Sequence, residues 1–286
     1  MKFNKLTLFT SDVPNNIRNI SSPPDCLHTL GADVKELLLR PCVTVVGSRK
    51  VSAYGKSVTS SLTEDLAKAG VVIISGLALG VDSIAHRAAL DAGGVTIAVL
   101  PSCLDRIYPS SHAGLARQIL EKGGALVTEY AEGTRVFTSN FIARNRIASA
   151  MGDVLLITEA AEKSGTLHTA RFALEQGKEV LAVPGNITSP TSAGTNNLIK
   201  SGATPVTSVD DIFYALGLQP ASQKRIPTST NPHEQIVLTL LANGMTDGAE
   251  LLSASRLEVK LFSQTLTMLE IHGLIRPLGN NHWSLQ

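Results

Sequence analysis

Ser75-Gly76-Leu77-Ala78-Leu79-Gly80-Val81-Asp82 stands between the aliphatic run 71–74 and a helical pattern that extends to Ala92. A strand that ends in Ser-Gly and passes straight into a helix leaves backbone N–H groups without intrahelical acceptors, at the end where the macrodipole favours negative charge. The stretch reads as a phosphate seat, with Gly76 and Gly80 there because a Cβ would block tight backbone angles or hold a phosphate at a distance. Its Gly-x-x-x-Gly spacing is neither the dinucleotide fingerprint GxGxxG nor a Walker loop, which ends in Gly-Lys-Ser/Thr. A tight strand-to-helix turn with no ligand is the alternative reading of the same residues.

On either side the same alternation repeats. Aliphatic runs at 43–46, 71–75, 95–100, 125–128, 153–158 and 179–183 read as buried strands,. Helical patterns follow at 55–69, 81–92, 113–122, 141–150 and 166–176, the first spaced through Val58, Leu62 and Leu66,. Short aliphatic strands alternating with helices predict an α/β fold, an extended Rossmann-like, doubly wound and mainly parallel sheet. The unusual residues fall after strand ends: Gly47-Ser48-Arg49, Ser75-Gly76, Pro101-Ser102, 159–166 and Pro184-Gly185-Asn186. In an open parallel sheet those ends share one edge, so five loops are expected to converge on one crevice.

Residues 1–40 are weakly patterned, and Ser21-Ser22-Pro23-Pro24 breaks any helix,. They are expected to be a lead-in packed on the main domain, 41–218. Residues 219–232, rich in Pro, Ser, Thr, Lys and Gln, read as a linker,. Residues 233–286 show three short helical patterns, at 233–242, 247–253 and 258–271. Two apolar runs around Gly279-Asn280-Asn281 then look like a hairpin,. Three helices and a hairpin predict a small C-terminal winged-helix-like domain. Such modules often read duplex DNA, but here Glu234, Asp247, Glu250, Glu258 and Glu270 face only Arg256, Lys260 and Arg276 as bases, which favours contact with protein,.

The chain has 286 residues, enough for one substantial core and a satellite domain at about 100–200 residues per domain,. Hydrophobic residues make up 43% and aromatic ones 4%, which suits aliphatic α/β layers,. The net charge of +1 favours no polyanion over the molecule as a whole, so any nucleic-acid surface must be local,. Cys26, Cys42 and Cys103 are widely spaced, which indicates neither a disulfide framework nor a zinc site and fits a reducing compartment,. No signal core is evident, and no run approaches the ~18 apolar residues of a membrane span, so a cytoplasmic protein without membrane contact is expected.

Each candidate site residue has a plainer alternative. Gly47, Ser48 and Arg49 offer close backbone access, a hydroxyl and a planar guanidinium fork to phosphate oxygens; otherwise Arg49 is a surface arginine after a turn. Ser164, Gly165 and Thr166, just after Lys163, open a helix and form either an anion nest or an ordinary N-cap. Arg144 and Arg146 are two apart, so one is free to point into the crevice while the other pairs with an acid, the alternative being two solvated bases. Phe141 lies one turn before Arg144 and is either an aromatic platform beside a cation or core. Asp82 and His86 are spaced as an acid–base pair, but they read more simply as a helix cap and a surface histidine. Ser75 and Ser164 lack a base at motif spacing, and Glu129 and Glu159 lack metal-ligand spacing. No catalytic residue, metal or cofactor is expected.

Taken in order, several motifs resemble the DprA/Smf family, the DNA-processing proteins of bacterial transformation. They are Val45-Val46-Gly47-Ser48-Arg49 with Tyr54-Gly55, the 75–82 stretch, Tyr108-Pro109, Phe141 with Arg144-Asn145-Arg146-Ile147, and Ser164-Gly165-Thr166-Leu167. Ala182-Val183-Pro184-Gly185-Asn186 and Ser192-Ala193-Gly194-Thr195-Asn196-Asn197 complete the set. The resemblance implies a non-enzymatic protein that binds and protects single-stranded DNA and loads the RecA recombinase onto it, usually as a homodimer. It also implies that Arg49, Arg144 and Arg146 are cationic or pocket-shaping residues, that 164–166 contacts phosphate, and that Phe141 faces a base. The chain has Ile142 and Ala143 where the family often has a Pro next to the Phe, and the family's separate helical N-terminal domain is not expected here.

Two rival functions remain from the residues themselves. A nucleotide-binding enzyme or sensor of the nucleoside-monophosphate phosphoribohydrolase type would use similar strand ends, but its Pro-Gly-Gly-x-Gly-Thr loop is here Glu162-Lys163-Ser164-Gly165-Thr166. A purely protein-binding adaptor would leave the glycine loops unexplained.

Overall fold

Aliphatic runs with both faces covered fill parallel strands, and that physics orders most of the chain. A computed structural model describes residues 3–218, 229, 231–279 and 281–285. The chain divides into two compact units, Met1–Pro220 and Ala221–Gln286. The linker expected over 219–232 lies outside the described residues apart from Ser229, Asn231 and Pro232, as does Asn280 of the expected turn.

The first unit opens with β1 (Lys5–Phe9), α1 (Asn15–Arg18), β2 (Cys26–Gly31) and α2 (Val34–Leu37). Then come β3 (Cys42–Val46), α3 (Ala53–Lys68), β4 (Val72–Ser75), α4 (Val81–Asp91), β5 (Thr96–Val99), α5 (Ala113–Glu121) and β6 (Ala125–Thr128). It continues through α6 (Thr138–Met151), β7 (Val154–Ile157), α7 (Thr166–Glu175) and β8 (Glu179–Ala182), and ends with α8 (Ala193–Lys200), β9 (Thr204–Pro205) and α9 (Val209–Ala215).

These strands form one sheet in the order β1-β2-β6-β5-β4-β3-β7-β8-β9. From β6 to β9 every neighbour is parallel, while β1–β2 and β2–β6 are antiparallel. The sheet is mainly parallel and Rossmann-like. The lead-in differs from its expectation: two of its segments are strands of the sheet itself. In β2, Leu27 and Thr29 are buried between more exposed neighbours, a half-buried alternation too short to stand out in sequence,. Helix α6 also starts earlier than its periodicity suggests, at Thr138.

Helices cover both faces. Leu62 and Leu66 of α3, Val81, Ala85 and Ala89 of α4, and Ile212 and Phe213 of α9 pack with Val43, Val45 and Ile73; α5 continues that layer over Ala98 and Leu126. Opposite, Ile147, Ala148 and Met151 of α6 pack with Ile74, Val99 and Val127, while Ala170 and Ala173 of α7 cover Leu155 and Ile157. The chain leaves β3 through α3 toward β4 and returns to β7 on the other side of β3. That reversal is the topological switch, where parallel sheets hold ligands beyond their strand ends.

The second unit contains α10 (Pro232–Ala242), α11 (Gly248–Ser255) and α12 (Val259–Ile271), followed by the antiparallel pair β10 (Ile275–Gly279) and β11 (His282–Leu285). Asn231 and Asp247 cap the first two helices with their side chains,. Val237, Leu241, Leu251, Phe262, Leu269 and Ile275 make its core.

Candidate nucleic-acid interface

At the switch point a cavity of about 760 Å³ opens beyond the carboxyl ends of β3 and β7. Gly47, Ser48 and Arg49 line it from β3, Ser164, Gly165 and Thr166 from the start of α7, and Phe141, Arg144 and Asn145 from α6. Ser48 is seated because its N–H donates to Glu159 O at 2.8 Å and its carbonyl accepts from Val81 N at 3.1 Å. This close approach requires Gly80, which has φ 81° and whose added Cβ would meet the Ser48 carbonyl and lie 2.8 Å from Arg49 backbone atoms,. Glu159 is buried and accepts from Ser52 N at 3.0 Å and Ser52 Oγ at 2.9 Å, fixing the start of α3 against the strand end.

Arg49 carries the accessible charge. Its guanidinium lies 5.2 Å from the centroid of the Phe141 ring, and Tyr108 meets that ring edge-on at 5.1 Å and 77°,. The cation and the aromatic are neighbours, as the face argument from Phe141 anticipates, although the cation comes from β3 and not from α6. The Arg49 and Gly165 amides have no protein acceptor among the described residues, and Gly165, the N-cap of α7, supplies no side-chain cap. Ser164 Oγ accepts from Thr166 N at 3.2 Å and donates to Thr166 Oγ1 at 2.9 Å, which makes a local turn at the helix start,.

The 75–82 stretch is different from its expectation. Asp82 accepts the Gly76 N–H at 3.0 Å and the Ala78 N–H at 3.4 Å, so the amides that read as a phosphate seat are closed from within. Ser75 is buried and its hydroxyl donates to Val45 O at 2.6 Å, turned away from the crevice. Gly76 is buried too, and a Cβ there would run into the Arg144 guanidinium, so the glycine makes room for an arginine and not for a phosphate.

Arg144 borders the cavity but is 4% exposed, and its guanidinium donates to Gly76 O and Val99 O and to Asn145 Oδ1. Burial lowers its pKa to about 10, opposed by the attraction of Asp82, so it stays cationic at neutral pH,. Burial likewise raises Asp82, while Arg144 and the two amides pull it back. Arg144 therefore ties the ends of β4 and β5 to α6. Arg146 is also committed, donating to both Glu129 oxygens at 2.9 and 2.7 Å and to Ser22 O at 2.8 Å, and it does not line the cavity. His86, expected at the surface, is fully buried with Nδ1 2.7 Å from Thr96 Oγ1.

All five expected loops reach the lining, through Arg49 and Lys50 after β3, Ala78 after β4, Tyr108 after β5, Ser164 and Gly165 after β7, and Thr191 after β8. Within them, the Gly76 and Ala78 amides after β4 are closed by Asp82, and Ser102 after β5 is buried. Asn186 lines a separate cavity beside Tyr54, and Lys163 is exposed outside the lining. Sequence reasoning named Tyr108 only as part of the Tyr108-Pro109 motif and missed Lys50, Thr138, Thr169 and Thr191, all in the lining. Lys50 follows Arg49 directly, and a basic pair at a strand end was signal enough; Thr191 is brought in by chain folding alone.

The family model for DNA recombination-mediator protein A matches residues 4–217. The chain is 50% identical over 174 residues to Protein Smf of Escherichia coli, covering 61% of this chain and 46% of that one. It is 35% identical over 258 residues to a putative DNA processing protein DprA of Mycobacterium tuberculosis, covering 88% and 66%. It thus spans about half the length of the first and just under two thirds of the second. Among solved structures, DNA processing protein A from Helicobacter pylori, described for its single-stranded DNA binding mode, superposes with a TM-score of 0.67 at 32% identity, over 76% of this chain and 96% of that one. A match across the whole nine-stranded unit, carrying the residues that build the switch-point cavity, places this chain in the DNA recombination-mediator protein A family.

Proposed function

We propose that the first unit binds single-stranded DNA along the crevice beyond β3 and β7, protects it, and delivers it to the RecA recombinase during natural transformation in the bacterial cytoplasm. One observation supports this above the others: a cavity of about 760 Å³ is lined by an exposed arginine, an aromatic ring and Gly165, whose amide has no protein acceptor among the described residues. Phosphates are held by Arg49, Lys50 and the Gly165 amide, and a base lies against the Phe141–Tyr108 pair, a combination that tolerates any sequence because every base has a π-face. Membership of a family that includes a single-stranded-DNA-binding relative favours the same ligand. In this reading the protein binds and does not catalyse, works as a homodimer, and uses the winged-helix-like module over 233–286, with five acids against three bases, to contact protein.

The test is fluorescence anisotropy with single- and double-stranded oligonucleotides at two salt concentrations. We expect preference for the single strand, little dependence on sequence, and affinity that falls with salt. Equal binding of both forms, or none, overturns the reading. Release of free base from AMP or GMP in the same preparation would support the phosphoribohydrolase-type alternative in its place.

A further inference from the structure

We propose that a second cavity, against Tyr54, is a nucleobase subsite that takes a base of the same DNA strand next to the one at Phe141. The proposal rests on the single-stranded-DNA reading of the larger crevice. The cavity measures about 470 Å³ and lies beyond the carboxyl end of β8, where Pro184, Gly185 and Asn186 form one wall and Tyr54 another.

Its walls are fixed before any ligand arrives. Tyr54 is half exposed, and its hydroxyl donates to Pro184 O at 2.7 Å, which pins the ring at the mouth of the cavity. The Gly185 peptide is held at both ends by Asn196, through Gly185 N to Asn196 Oδ1 at 3.1 Å and Asn196 Nδ2 to Gly185 O at 3.0 Å. An immobilised ring with an open face loses little freedom when a flat partner stacks on it.

The polar groups left over also suit a base. Ser192 is 5% exposed and lines the cavity, yet its hydroxyl has no protein partner among the described residues. Asn186 Oδ1 is taken by Thr188, through N at 2.9 Å and Oγ1 at 2.8 Å, and its Nδ2 has no acceptor among the described residues. A hydroxyl that both donates and accepts, beside an amide donor, matches the mixed edge of a nucleobase. Among the described residues no lysine or arginine lines this cavity, so a phosphate would find no counter-charge from them in it,.

Position links the two cavities. Arg49 and Lys50 line the larger one, and Ser52 and Tyr54, a few residues on, line the smaller. Thr191 borders the larger and Ser189 and Ser192 the smaller, so the same two loops form the partition between them. A strand whose phosphates lie on Arg49 and Lys50 passes directly over that partition.

The experiment measures binding of an oligothymidine length series to the full chain and to Tyr54→Ala, Tyr54→Trp, Ser192→Ala and Arg49→Ala, with thermal melting as the folding control. Tyr54→Ala should weaken the longer oligonucleotides by about tenfold and leave the shortest ones that bind unchanged, with Tyr54→Trp restoring the loss. Introducing one abasic nucleotide at successive positions should reveal a penalty position in the unaltered protein that disappears in Tyr54→Ala. The inference is overturned if folded Tyr54→Ala binds every length like the unaltered protein, or if it weakens all lengths equally. Arg49→Ala separates the two claims: if it weakens binding while Tyr54→Ala does not, only the second subsite falls, and if neither matters the crevice reading falls as well.

Discussion

Two strand-to-helix turns in this molecule look alike in sequence and do opposite things. Ser75-Gly76 after β4 and Ser164-Gly165 after β7 both place a serine and a glycine ahead of a helix. In the first, Asp82 reaches back from α4 to take the Gly76 and Ala78 amides, and Arg144 fills the space beside Gly76. In the second no acid among the described residues takes an amide, the N-cap Gly165 has no side chain to offer, and Gly165, whose amide has no acceptor among those residues, lines the crevice. A glycine turn before a helix is an anion site only while nothing in the protein supplies the anion. At β4 the chain supplies its own, and the Arg144 cation is enlisted to hold the sheet.

The contrast breaks most sharply at Arg144. If the β4 turn is structural, Arg144→Leu strands the buried Gly76 and Val99 carbonyls and removes the larger of the two cationic influences on Asp82. Each buried acceptor left without a donor costs about 1–3 kcal/mol. Urea unfolding should show that loss, and an oligonucleotide titration of the variant in stabilising buffer should retain binding. A variant of native stability with abolished binding would return Arg144 to the role of a phosphate contact.

Burial under the closed turn extends one helical turn further, to His86. Desolvation, with Arg144 and His112 adding to it, pushes its pKa down to about 3, so it stays neutral in the fold. An unfolded histidine titrates near 6.5. Between those values the unfolded chain holds one more proton at this site, so stability falls as pH drops below about 6.5, by up to about 1.4 kcal/mol per pH unit. Unfolding free energies at pH 6.5, 5.5 and 4.5 measure the slope, and His86→Gln should remove about one proton from it. An unchanged slope in the variant would place the acid sensitivity elsewhere.

Arg49 is the open side's counterpart to Arg144. It is exposed and touches Phe141 only through its charge over the ring. Arg49→Ala should therefore melt within a degree or two of the unaltered protein while binding single-stranded DNA about tenfold more weakly at low salt, with the slope of log K against log salt reduced by about one. A large drop in melting temperature would show that the guanidinium holds structure here as well.

How much of this could be read from the sequence depends on how local the deciding contact is. The six runs between 43 and 183 announced themselves as strands because parallel strands are buried on both faces, and such burial leaves unbroken aliphatic runs. By contrast β1 is mostly exposed and β2 half-buried, so the edge of the sheet hid in what reads as a lead-in. The crevice residues Arg49, Phe141 and Ser164–Thr166 were legible from type and position. That Arg144 is spent on Gly76 and Val99, and Arg146 on Glu129, was not, because each contact joins residues more than a dozen apart. Asp82 is the intermediate case. An acid in the first turn of α4 is visible in the sequence, but only the backbone path shows that it caps the amides ahead of it.

The smallest effect is the most specific to the open turn. Ser164 Oγ meets the Thr166 N–H at 3.2 Å, longer than a strong hydrogen bond, so Ser164→Ala should cost about 0.5 kcal/mol, the low end of what a helix-start hydroxyl contributes,. The turn would keep its backbone, since Ser164 N still donates to Ala161 O and Leu167 N to Ser164 O. If DNA phosphate sits on the Gly165 amide, removing the hydroxyl frees the Thr166 amide to join it, and affinity should hold or rise slightly while stability falls. If the hydroxyl itself contacts phosphate, affinity and stability fall together. Measuring both on one variant therefore distinguishes a helix start that is open by its backbone from one that depends on its side chain, a distinction that the closed turn at β4 does not offer.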